Sequence, residues 1–142
     1  MFITCSRKFN FDAAHRVKNH ESKCKHLHGH RFLVEVTFAA EKGLDDVGRV
    51  IDFGVLKEIL GTWIDDNLDH NILLFEEDRP LGDLIASYTG QEVFYLPFNP
   101  TAENIAYYLL HEVCPKLFTG DAKCIKIKIY ETPNCSSEVV LA

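Results

Sequence analysis

Residues 30–40, HRFLVEVTFAA, constrain the fold more than any other stretch of the chain. Phe32, Val34, Val36 and Phe38 alternate with Glu35 and Thr37, a period of two that a half-buried strand satisfies and a helix does not. A second run of this kind covers residues 2–13, where Phe9, Phe11 and Ala13 alternate with Asn10 and Asp12. Both apolar stripes continue into histidine: His15 follows the parity of Phe9 and Phe11, and His28 and His30 precede Phe32 in the same parity. Residues i and i+2 of a strand share a face. If both strands run on, three histidines project from the buried faces of two consecutive strands, and the loop between lets them meet as a hairpin. Gly29, between His28 and His30, removes a side chain where the backbone must adapt.

The other elements are read in the same way. Residues 53–66 have helical spacing, with Phe53, Leu56, Leu60, Trp63 and Ile64 on one stripe and Asp52 as N-cap. NLDHNILL follows, and residues 75–91, with their charges, Pro80, Gly82, Ser87 and Gly90, read as a loop. Residues 92–97, EVFYLP, read as a short strand. Thr101 is the natural N-cap of a second helix, with Glu103 in its first turn, an apolar stripe of Ile105, Tyr108, Leu109 and Val113, and Pro115 in its last turn. In KCIKIKIYE, Ile125, Ile127 and Ile129 form a strand stripe whose parity Glu131 shares. A short strand ends the pattern. The expected architecture is α+β, an antiparallel sheet with two helices packed on one face.

A chain of 142 residues, 46% hydrophobic and 25% charged, suits a single domain with one core. It has no apolar run long enough to span a bilayer, and MFITCSRKFNF lacks the layout of a signal peptide, so a cytoplasmic protein is expected. The cysteines at 5, 24, 114, 124 and 135 contain no CxxC pair, and no disulfide framework is expected. Cys114 and Cys124 lie in apolar contexts and read as core. Cys24 lies beside Lys23, Lys25 and His26, neighbours that favour thiolate. The net charge of −6 argues against a nucleic-acid surface. Within that acidic chain Arg16, Lys18, Lys23, Lys25 and Arg31 gather around one stretch, either as a solvated loop or as a patch for an anionic small molecule.

Three imidazoles bind zinc and leave a fourth position open, the arrangement of a catalytic ion. The alternative is a closed, structural site to which Cys24, His20 or His26 adds the fourth ligand. A Cys24 that is not a ligand is a candidate for proton transfer or nucleophilic attack. Asp69–His70 offers an acid–base pair. Glu131 either turns to water or, with Glu103, grips the paired N–H edge of a heterocycle.

FDAAH, CKHLHGH, VIDFGVLK, LDHNIL, NPTAENIA and YETPNCSSEV occur in that order, and the combination resembles the 6-pyruvoyl tetrahydropterin synthase and 6-carboxytetrahydropterin synthase family from the first strand to the last few residues. The resemblance implies one domain over residues 1–142 with the tunnelling fold (T-fold), an antiparallel four-stranded sheet with two helices on one face. It implies trimers that close their sheets into a barrel, a homohexamer of two trimers, and active sites between subunits. His15, His28 and His30 would hold Zn2+, Cys24 would be the catalytic thiol, and Asp69 and His70 would form a relay with it from a neighbouring subunit. Glu131 would anchor the pterin, with Glu103 assisting. The implied substrate is 7,8-dihydroneopterin triphosphate. ETPNCSSEV is more similar to the carboxy-type ending, which implies queuosine-precursor synthesis. The pyruvoyl synthase is the alternative product class, and a non-catalytic zinc-stabilised pterin-binding module is the alternative of another kind.

Overall fold

The computed structural model describes residues 2–142. Strands β1 (Thr4–His15) and β2 (His28–Ala40) form an antiparallel hairpin. β5 (Ala122–Thr132) pairs antiparallel with β2, and β6 (Cys135–Val140) with β5. These four strands are the expected antiparallel sheet. Two further strands extend it beyond β1: β3 (Asn71–Phe75) runs parallel to β1, and β4 (Val93–Leu96) parallel to β3. The full order is β4-β3-β1-β2-β5-β6, a mixed six-stranded sheet. β3 lies in NLDHNILL, which the periodicity left unassigned. Ile72, Leu73 and Leu74 are all buried, and a strand covered on both faces shows no alternation.

Helix α1 covers residues 53–67, with a π-helical stretch at Lys57–Gly61. Its N-cap is as expected, since Asp52 Oδ1 accepts from Gly54 N at 2.7 Å. Leu56, Leu60 and Ile64 are buried while Phe53 stays 53% exposed, so the packed stripe begins one turn later than the spacing indicated. Residues 79–89 form a helix, α2 (Arg79–Thr89), where a loop was expected. Pro80 and Gly90 punctuate it instead of breaking it: proline fits a helix's first turn, and Gly90 ends it at φ 74°. Gly82 is buried where the Tyr95 hydroxyl occupies the space of a Cβ, and the Arg79 guanidinium lies 4.0 Å from the centre of the Tyr95 ring. Helix α3 covers residues 102–117, π-helical over Leu109–Val113. Its cap is Thr101, whose Oγ1 accepts from Asn104 N at 3.1 Å.

One apolar cluster joins α1 and α3 to the buried side of β1, β2 and β5, and it includes Cys114 and Cys124. The β5 stripe differs from the simple alternation. A bulge opposite Thr37 and Phe38 sets Phe38 against Cys124, so Cys124 is buried and Ile125 only half-buried. An extra residue in one strand inverts the parity beyond it. Ile127 and Ile129 remain on the core face. No helix of the described residues is long and apolar enough to cross a membrane.

The register carries the core face up to the histidines. Phe11 pairs with Phe32, Ala13 with His30 and His15 with His28. The Phe11 and Phe32 rings stack at 4.9 Å, and His15 and His30 rest edge-on against Phe32 at 5.6 and 5.5 Å. Phe32 is fully buried and is the floor on which the imidazoles stand. Phe32→Ala is expected to cost about 3–5 kcal/mol, measured by urea unfolding, and to lower metal affinity with it.

Candidate functional site

The end of the β1–β2 hairpin brings His15, His28 and His30 together, as their parity predicts, and β5 adds Glu131. One ligand atom from each of the four lies within 4.8 Å of all the others. Glu131 arrives by the same rule of register. Val34 pairs with Ile129, so the residue two positions on from Ile129 shares the face of Phe32. Its Oε1 lies 2.9 Å from His30 Nε2 and 3.2 Å from His15 Nε2. In this chain Glu131 thus faces the imidazoles.

The ring nitrogens that turn away from the cluster fix its chemistry. His15 Nδ1 lies 2.7 Å from the Pro100 carbonyl oxygen, and His28 Nδ1 lies 2.7 Å from that of His26. A carbonyl only accepts, so both Nδ1 atoms carry a proton, and in the neutral tautomer each Nε2 presents its lone pair. Those two lone-pair nitrogens lie 3.1 Å apart, an approach that is repulsive unless a cation lies between them. His30 Nε2 is buried and has no hydrogen-bond partner, the Glu131 oxygen being near it in distance without hydrogen-bond geometry. Burial pushes the His15 imidazole below its ordinary pKa, against the opposing pull of the Pro100 carbonyl and Glu131, and so favours the neutral form that a metal requires. Three converging imidazoles, two of them with outward N–H groups held by carbonyls and the third with an orphaned buried nitrogen, make a donor set that fits Zn2+.

Four other candidates, His20, Cys24, His26 and Glu103, stand apart from the cluster. His26 acts there through its backbone, as the carbonyl that orients His28. Cys24 is half-buried in a single 3-10 turn, Lys23–Lys25, within the loop that joins the two histidine-bearing strands. Glu103 is exposed in the first turn of α3 and lies outside the cluster.

Asp69 and His70 form a hydrogen-bonded pair, with His70 Nδ1 2.8 Å from Asp69 Oδ2. The other oxygen, Oδ1, accepts from Asp12 N at 2.8 Å, which fixes the carboxylate to β1. His70 has a left-handed backbone, φ 59°, held by its N–H to the Asp12 carbonyl at 2.6 Å. Burial raises the Asp69 pKa, but the hydrogen bonds from Asp12 N and His70 outweigh it and hold the carboxyl below its ordinary range. The Asp69 hydrogen bond and charge raise His70 above an ordinary imidazole. The His70 side chain is 79% exposed. It borders an open cleft of about 480 Å³, shared with His30, Arg31, Asp12 and Gln91, whose amide donates to the His70 carbonyl at 3.2 Å. No hydrogen bond joins the pair to Cys24 among the described residues.

The basic cluster is mostly neutralised. Arg16 donates twice to Asp78, at 2.6 and 2.7 Å. Lys18 Nζ lies 3.8 Å from Glu77, and Arg31 lies 3.2 Å from Asp12. Lys23 and Lys25 remain without an acidic partner among the described residues. The acids that face Arg16 and Lys18 are Asp78 and Glu77, and the one that faces Arg31 is Asp12 of β1.

Asp69→Asn is expected to bring the His70 pKa down toward that of a free imidazole, measured by NMR titration of the ring protons. Because the folded-state pKa is raised, whatever the pair adds to stability is complete below the free-histidine pKa. It is lost as pH climbs through the raised value.

Comparison with known proteins places this geometry in a family. The model of the 6-pyruvoyl tetrahydropterin synthase family matches residues 4–140. A Rickettsia bellii protein named 6-carboxy-5,6,7,8-tetrahydropterin synthase is 49% identical over 96% of this chain and 99% of its own length. The Haemophilus influenzae protein of the same name is 30% identical over 94% and 95%. Among solved structures, an uncharacterised Wolinella succinogenes protein superposes with a TM-score of 0.82 at 24% identity, covering 99% of this chain and 98% of that one. Caenorhabditis elegans 6-pyruvoyl tetrahydropterin synthase superposes at 0.68 and 22%, covering 100% and 97%. The sheet and helices are those of the tunnelling fold, and the chain belongs to the 6-pyruvoyl tetrahydropterin synthase family.

Proposed function

We propose that this chain is a zinc-dependent 6-carboxy-5,6,7,8-tetrahydropterin synthase, a lyase that converts 7,8-dihydroneopterin triphosphate to carboxytetrahydropterin with release of acetaldehyde and triphosphate. The observation that carries the reading is the cluster of His15, His28 and His30, with two of its imidazoles locked by backbone carbonyls in the ligating tautomer. Two relatives 49% and 48% identical to this chain bear the carboxy name, which favours the carboxy product over the pyruvoyl one. Its place is then the queuosine (7-deazaguanine) pathway. Five free cysteines suit the reducing cytoplasm.

His15, His28 and His30 would hold zinc, which would supply Lewis acidity toward the hydroxyls of the substrate side chain. Cys24, on the loop between the ligand strands, moves a proton at that side chain as general base. His70 is its proton-transfer partner: Asp69 occupies Nδ1 and leaves Nε2 as the exchanging atom. No hydrogen bond joins the two among the described residues of one chain, and His70 is exposed, which supports the homohexamer, a dimer of trimers, in which the pair of one subunit serves the Cys24 of the next. Glu131 would anchor the paired N–H edge of the pterin, with Glu103 assisting.

Mass spectrometry of the pterin formed from 7,8-dihydroneopterin triphosphate by the zinc-loaded protein tests the reading. The carboxy-pterin mass with acetaldehyde is expected. The pyruvoyl mass would contradict the product assignment, and bound but unchanged substrate would contradict catalysis. Cys24→Ala is expected to retain zinc and lower kcat by about 10²–10⁴-fold, while His28→Ala loses both, read by metal analysis and steady-state kinetics. Loss of zinc in Cys24→Ala would make Cys24 a ligand.

A further inference from the structure

Cys24 is carried by a loop with little packing of its own, and the bonds that hold that loop converge on residues 16–18. Arg16 forms a two-pronged ion pair with Asp78, which is only 5% exposed. Lys18 is gripped on both backbone groups by one side chain: its N–H donates to Asn99 Oδ1 at 2.9 Å, and its carbonyl accepts from Asn99 Nδ2 at 3.0 Å. Between them, Val17 N–H donates to the Cys24 carbonyl at 2.8 Å. The thiol-bearing turn is thereby tied to a platform whose two flanks are anchored in other parts of the fold.

Asp78 stands at the N-cap position of α2, where an aspartate ordinarily accepts from the helix's first N–H groups. Its side chain makes no such bond. Both of its oxygens are committed to Arg16, and a local rule set aside in this way marks a site under another demand. Asn99 precedes Pro100, whose carbonyl orients His15, so one short segment fixes a metal ligand and the cysteine loop together.

We propose that Arg16, Asp78 and Asn99 are positioning residues that set the place of Cys24 relative to the histidine cluster. They touch no reacting atom and act through the backbone of residues 16–18. The assignment of Cys24 as the catalytic thiol rests on the function proposed above. The geometry of the clamp does not.

The test uses Asp78→Asn and, as a second variant that keeps the charge but not the fork, Arg16→Lys, both in the zinc-loaded full chain. Zinc content, kcat, KM and the iodoacetamide alkylation rate of Cys24, mapped by peptide mass spectrometry, are measured together. The expected result is unchanged zinc, kcat lower by about tenfold or more with KM changed by less than about threefold, and faster labelling of Cys24. Asp78→Glu, which can rebuild the fork, is expected to recover most of kcat. Wild-type kcat and wild-type labelling in both variants, with only the melting temperature lowered, would overturn the proposal. If the wild-type protein does not turn over the pterin substrate, the proposed function fails, and the labelling rates alone decide the clamp: unchanged rates overturn it.

Discussion

The pairing of His15 with His28 across the β1–β2 hairpin is the constraint on which the site depends. Side chains on neighbouring strands share a face only in one register, and a slip of one residue would turn every one of them over. The apolar stripes that place Phe11, Phe32 and Val34 in the core thus also determine where the imidazoles end up. The energy that holds the site is therefore mostly not at the site. It is the burial of the stripe beneath it, and the stacked Phe11–Phe32 pair transmits that order to the first ring of the cluster.

Around this core the chain uses backbone carbonyls and buried acids as fixed points. Pro100 and His26 give carbonyls to the outer nitrogens of two imidazoles, which sets tautomer and ring orientation without any further side chain. Asp12 gives both its backbone groups to the Asp69–His70 turn. Asp78 is buried against Arg16, an ion pair whose loss would leave an uncompensated charge in the interior.

The histidine cluster was legible because a strand has an exact period of two and no side-chain detail is needed to apply it. Glu131 was legible by the same parity, and its orientation toward the imidazoles was not, because parity gives a face and not a rotamer. The two helix caps at Asp52 and Thr101 followed from local hydrogen-bonding chemistry alone. What failed was non-local or aperiodic. β3 is an unbroken apolar run buried on both faces, α2 carries Pro80 in its first turn and ends at Gly90, and the β5 bulge exchanges Ile125 for Cys124 by a pairing decision made on β2. The charges of Arg16, Lys18 and Arg31 were visible, but their acidic partners are 62, 59 and 19 residues away in the chain or lie on the opposite strand, and net charge says nothing of such pairing.

The central claim is that three imidazoles hold the metal while the Cys24 sulfur stays free for chemistry. X-ray absorption at the zinc edge of the metal-loaded protein tests it most directly. The account predicts a first shell of nitrogen and oxygen at about 2.0–2.1 Å, with the imidazole outer-shell pattern and no sulfur. A sulfur scatterer at about 2.3 Å would make Cys24 a ligand and the site a closed, structural one, which contradicts the account.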